Sequence, residues 1–166
     1  MAVLDILHWP DPTLVTVAEP VEQGSDVGTL VADMFDTMYA APGRGLAGPQ
    51  VGVLRRIFVM DVSWKSGAAH PVACLNPEIL WRSDEFAVHE EGCLSIPGVL
   101  AEVPRPAEIV LRWHDAAWAL HEEKLTGFEA VCAQHEFDHL EGRVYLDYLS
   151  PARRLELLRS YEEARA

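Results

Sequence analysis

The sequence predicts an α+β domain, with short strands in mixed or antiparallel pairing gathered around a central helix, one helix before them and one after. Three observations carry this reading. Apolar residues recur at helical spacing over residues 26–40 and again over 127–141. Between them lie short apolar or alternating runs, too brief for helices and bounded by turn residues. Strands that cluster before helices, rather than alternating with them, argue against a wholly parallel sheet. A length of 166 residues fits one domain, taken as 1–166.

In the first helix, Val27, Leu30, Val31, Met34, Phe35 and Met38 form the apolar stripe, with Ser25 as the expected N-cap and Asp26 in the first turn. It ends before Pro42-Gly43-Arg44-Gly45, a loop by composition. Residues 53–62 and 72–80 read as strands, and 108–114 alternate as a half-exposed strand does. Many of the 11 prolines, among them Pro97, Pro104 and Pro106, are expected to break the middle into short pieces. The helix over 127–141 has Gly142 just past its end as a C′ residue. Ser150-Pro151 suits the cap and first position of a last helix reaching about residue 165.

Composition narrows the function. The chain is 49% hydrophobic and 23% charged, as ordinary globular proteins are. No apolar run approaches the ~20 residues a membrane helix needs. The N-terminus lacks a basic region followed by an apolar stretch, so no secretory signal is expected. Three cysteines at irregular spacing argue against a disulfide framework and for a reducing cytoplasm. A net charge of −13 repels phosphate backbones and anionic lipid, which leaves nucleic acid and membrane as poor partners.

The sharpest local signal is His135-Glu136-Phe137-Asp138-His139, an H-E-x-x-H. On a helix, positions i and i+4 share a face, so two imidazoles can converge on one metal while Glu136 stands beside it to move protons. Alone, the pentapeptide also fits two satisfied histidines on an amphipathic helix. A catalytic site needs a third protein ligand and an open position. The extended form with a third histidine fails, because Tyr145 occupies that place, and Arg159 stands where a downstream glutamate would be needed. Cys132 shares a face with His135 but lies seven residues from His139, roughly 10 Å along the axis at 1.5 Å per residue. It reads as a core or pocket-wall residue, and Cys74 as a buried strand thiol. Cys93, after a glycine in Glu91-Gly92-Cys93-Leu94-Ser95, is favoured by elimination.

Gly43-Arg44-Gly45-Leu46-Ala47-Gly48-Pro49-Gln50-Val51-Gly52, then Glu91 to Ser95, then His135 to His139 resemble the three motifs of the peptide deformylase family, in its order and spacing. The likeness is to the bacterial type 1 kind and extends to Asn76-Pro77, Ile96-Pro97, Gln134 and Asp147 to Pro151. It implies that Cys93, His135 and His139 hold one divalent metal, with Fe2+ expected and Zn2+, Ni2+ or Co2+ also compatible with thiolate and imidazole. It implies Glu136 as the proton-transfer group, and the Gln50 side-chain amide with the Leu94 N–H as donors to a developing oxyanion. At the substrate pocket it places Arg44, Gly45, His89, Glu91, Phe128, Val131 and Cys132. The activity implied is hydrolysis of the N-formyl group from nascent polypeptides, releasing formate.

The chain also departs from the family's pattern. Arg44 replaces a small or branched apolar residue, Gly48 an alanine, and His89 an aliphatic residue of the methionine pocket, while Glu129 sits beside the apolar wall. Arg44 and His89 could bind a carboxylate or polar group, or simply reach solvent. Two further readings therefore stay open: a divergent paralogue acting on a different formyl or acyl amine, and an inactive binding protein on the same scaffold. The last helix carries Arg153, Arg154, Arg159 and Arg165 and could make a weak ribosome contact or be a solvated helix.

Overall fold

The computed structural model describes residues 2–165. The helices are α1 (Gly28–Ala40), α2 (Gly127–Leu140) and α3 (Pro151–Arg165). The strands are β1 (Gly45–Ala47), β2 (Ile57–Met60), β3 (Val72–Arg82), β4 (Phe86–Cys93), β5 (Ile96–Pro106), β6 (Glu108–His114) and β7 (Leu120–Thr126). They form a five-stranded sheet ordered β1-β2-β3-β6-β7 and a separate β4–β5 ribbon. Every pairing between these strands is antiparallel.

Strand alternation sets the layers. Ile109, Leu111 and Trp113 of β6 turn inward with Phe58, Met60, Cys74 and Leu125 to meet Ala130, Cys132 and Ala133 of α2. On the other face Leu46, Ile57, Val59 and Leu75 take Val31, Met34 and Met38 of α1. Covered on both sides, β2 is buried at all four positions, which is why its sequence is an unbroken apolar run. The ribbon lies against α2 and packs Ile96, Ala101 and Val103 on Tyr145, Leu157 and Tyr161. Enclosed between sheet and ribbon, α2 is buried at ten of its fourteen positions.

Several boundaries differ from expectation. Ser25 does not cap α1; Val27 holds that position, and Asp26 Oδ1 instead accepts from Gly28 N at 3.1 Å. The strand expected over 53–62 is confined to 57–60, because residues before it turn back to pin the chain. Arg56 Nη1 donates to Leu140 O at 3.1 Å and pairs with Glu141 at 3.0 Å. The prolines do not fragment residues 96–106, which form one strand of 11 residues. Pro104 and Pro106, two apart, share an edge, and β5 is paired on one edge only, so neither removes a ladder hydrogen bond. The Pro106 carbonyl on that free edge accepts from Gln134 Nε2 at 2.9 Å. At the helix ends, Gly142 takes φ +73° after α2, and Ser150 Oγ accepts from Arg153 N at 3.2 Å.

Candidate metal centre

Two elements bring three donors together. On α2 the rings of His135 and His139, one turn apart, lie 5.1 Å centre to centre. The ribbon supplies Cys93 at the end of β4, beside the two-residue turn Leu94-Ser95 that closes the Cys93–Ile96 pair. The donor atoms of Cys93, His135 and His139 all lie within 4.8 Å of one another, and Cys93 Sγ is 3.5 Å from His139 Nε2. All three residues are buried. A thiolate and two imidazoles within this span suit one divalent ion with bonds of about 2.0–2.3 Å and leave it open on the cavity side. Cys132 is not in this group; its Sγ lies 3.6 Å from Arg44 O and lines the cavity, as the helical distance required.

The histidines are held in unlike ways. His135 Nδ1 lies 2.8 Å from Glu91 Oε1, so the proton sits on Nδ1 and Nε2 is left free as a ligand. Burial alone would lower the pKa of His135, but the Cys93 sulfur and the charges of Glu136 and Glu91 outweigh it and raise it well above normal. A bound cation competes for the same nitrogen and reverses that direction. Burial, with His135 and Arg105 adding to it, pushes His139 well below its ordinary value, so it stays neutral and ready to ligate.

Glu136 is buried and its Oε1 has no hydrogen-bond partner. Desolvation chiefly, with the carboxylates of Glu91 and Asp138 adding to it against His135 and Arg105, pushes its pKa up to about 7. A carboxyl group poised there can both take and return a proton near neutrality. Gln50, in the short 3-10 turn Gly48–Val51, accepts from Ala47 N at 2.9 Å through its amide oxygen. Its Nε2 is thereby aimed at Ser95 Oγ, 3.1 Å away, and Cys93 Sγ, 3.5 Å away.

A cavity of about 730 Å³ opens from this centre, bordered by Gly45, Gln50, Leu94, Val131, Cys132 and Glu136, with Arg44 and Phe128 also at its edge. Gly45 is required by contact: a Cβ there would lie 2.5 Å from Glu136 Oε2 and 2.8 Å from Cys132 Sγ. Gly48, the departure in the first motif, has a packing reason, since a Cβ would meet Val53 O at 2.6 Å and Arg55 O at 2.9 Å.

One expected substrate contact is corrected. His89 does not border the cavity. Two residues back along an extended strand, about 6.6 Å, it stands opposite Val103 instead. Glu91 borders the cavity, but its carboxylate turns into the protein and is fully occupied by His135 and Arg105. Arg105 escaped the sequence reading. It lies 2.6 Å from Glu91 Oε2 and 2.8 Å from Asp138 Oδ2, and Tyr148 Oη donates to the same Asp138 oxygen at 2.7 Å. Burial would raise the Glu91 pKa, but its bonds to His135 and Arg105 prevail and lower it, so it stays ionised behind His135. A lone arginine between two prolines carries no local signal of this role.

A Lewis-acid position with a poised base at its edge makes this a metal-dependent hydrolase. The polypeptide deformylase family model matches residues 3–155, and the chain belongs to that family. It is 48% identical to a peptide deformylase of Rhizorhabdus wittichii, over 99% of this chain and 97% of that one. With one from Novosphingobium aromaticivorans it shares 45% identity, over 99% and 98% of the two chains. Its fold superposes on the crystal structure of a peptide deformylase from Ehrlichia chaffeensis in complex with actinonin. That match has a TM-score of 0.92 and 38% identity and covers 99% of this chain and 98% of the other.

Proposed function

We propose that this chain hydrolyses the N-formyl group from the formyl-methionine end of nascent polypeptides and releases formate. The observation that carries it is the meeting of Cys93, His135 and His139 beside a buried, unpartnered Glu136 at the base of one cavity. Bound by those three residues, a divalent ion, Fe2+ in our reading, supplies a Lewis acid that polarises the formyl carbonyl and acidifies water. Glu136 takes the proton of the attacking water and returns it to the leaving amine. Gln50 Nε2 and the Leu94 N–H, which the two-residue hairpin leaves outside the strand ladder, donate to the oxygen as it gains charge. Glu91, held by Arg105, fixes the ring of His135. The methionine side chain lies along Val131 and Cys132, with Phe128 at the outer end of that wall, and Gly45 at the cavity's edge lends its backbone to the peptide.

We place this activity in the cytoplasm, on the emerging chain. No helix among the described residues is long and apolar enough to cross a membrane. A weak ribosome contact through α3 would rest on Arg159, because Arg153 pairs with Glu156, Arg154 pairs with Asp147 and Arg165 donates to Trp9 O. Formate release from formyl-Met-Ala-Ser by anaerobically prepared iron-loaded protein tests the reading. Glu136→Ala should lower the rate by about 10²–10⁴, and an undiminished rate would overturn the assignment.

A further inference from the structure

Two cations stand at the mouth of the cavity, neither of them in an ion pair among the described residues. Arg44 is exposed and lays its guanidinium 5.5 Å from the ring centre of Phe128, itself 41% exposed. Lys65 is exposed, with Nζ 5.7 Å from the Trp64 ring centre. Both border the cavity. Among the described residues, ion pairs engage Arg56, Arg105, Arg112, Lys124, Arg153 and Arg154 but neither of these two.

Their mounting is rigid. Trp64 Nε1 donates to Gly43 O at 2.9 Å, and Asp61 N donates to Arg44 O at 2.8 Å. Asp61 is fixed in turn by Tyr39 Oη at 2.6 Å and His70 N at 3.0 Å. One brace therefore carries the loop of Arg44 and the short turn of Lys65. Glu90, exposed, borders the same cavity. In a chain of net charge −13, whose general field repels anionic peptides, the two cations are a local reversal.

Distance says what meets them. Phe128 lies seven residues before His135 on α2, about 10 Å along the axis. An extended peptide advances about 3.3 Å per residue. For a peptide that runs from the centre toward the N-terminal end of α2, the second and third residues come level with Phe128 and with the Arg44 guanidinium 5.5 Å from its ring centre. We propose that Arg44 and Lys65 form a subsite for an acidic side chain, so that formyl peptides with Asp or Glu at the second or third residue are preferred substrates. This rests on the deformylase reading above.

The test compares kcat/KM for formyl-Met-Ala-Ser, formyl-Met-Glu-Ser, formyl-Met-Ala-Glu and formyl-Met-Lys-Ser on one preparation of iron-loaded protein. The better acidic peptide should exceed the neutral one by roughly three- to tenfold, as one bidentate or two exposed ion pairs allow. The lysine peptide should fall below both. Arg44→Met should bring the acidic-to-neutral ratio close to one, as should 0.5 M salt, and Lys65→Met should lower it in part. The ratio within one preparation is insensitive to how much active protein each variant yields. Equal rates across the panel, or a preference that survives Arg44→Met, would overturn the subsite and leave the deformylase reading standing. Formate release from no member of the panel would overturn both.

Discussion

Replacing Glu136 by glutamine should abolish turnover yet make the metal-free protein more stable at alkaline pH. In the folded chain the carboxyl titrates at about 7, against an ordinary value of 4.5, chiefly because burial disfavours its charge. Between those values the folded state binds more protons than the unfolded one, so this group's contribution to stability falls as pH rises through that window. Above pH 7 the penalty is complete. The shift of 7 − 4.5 = 2.5 units corresponds to about 3 kcal/mol at 1.36 kcal/mol per unit. Glutamine carries no charge to desolvate, so chelator-treated Glu136→Gln should exceed the chelator-treated parent by about 2–3 kcal/mol at pH 8, near 5–10 °C in Tm for a domain of this size. Below pH 4.5 the two should coincide. Urea unfolding of both proteins at half-unit steps from pH 4 to 8.5 measures the divergence. Parallel stability curves, or a glutamine variant less stable at pH 8, would refute the idea that the site holds an expensive carboxylate in readiness. A bound divalent cation favours the carboxylate, so the same comparison on metal-loaded protein should show a smaller gap.

Two other substitutions probe what surrounds the donors. Gly45→Ala places a methyl group 2.5 Å from Glu136 Oε2 and 2.8 Å from Cys132 Sγ. The displacement should cost about 10²-fold in kcat/KM with a Tm change of a few degrees at most, and full activity would disprove the close approach. Arg105→Met strands the carboxylates of Glu91 and Asp138 without their cation, which should destabilise the fold by about 3–5 kcal/mol at pH 7. Because Arg105 helps to hold the Glu91 pKa below its ordinary 4.5, the loss should be full above that pH and shrink as pH falls below it, and denaturant unfolding on both sides of pH 4.5 decides it.

What could be read from the sequence was what short-range periodicity records. The alternation of β6 marked Glu108–His114 without error, and the helix over 127–141 lost one residue at its end. Convergence of His135 and His139 follows from the 3.6-residue turn alone. Two glycine-containing motifs and the H-E-x-x-H, in family order, singled out Gln50, Cys93 and Glu136 as candidates. Their geometry was another matter. Cys93 lies 42 residues before His135, and only the packing of the ribbon against α2 places its sulfur 3.5 Å from His139 Nε2. The same packing turned Glu91 inward onto Arg105, carried His89 past the cavity's edge and let a strand with three prolines run unbroken along a free edge. It also set Arg44 on Phe128 at the mouth. Backbone hydrogen bonding and side-chain period repeat every two to four residues and are written locally. Which distant side chains share a charge, a metal or a cavity wall depends on how the layers close over a common core, and that is settled only by the folded chain.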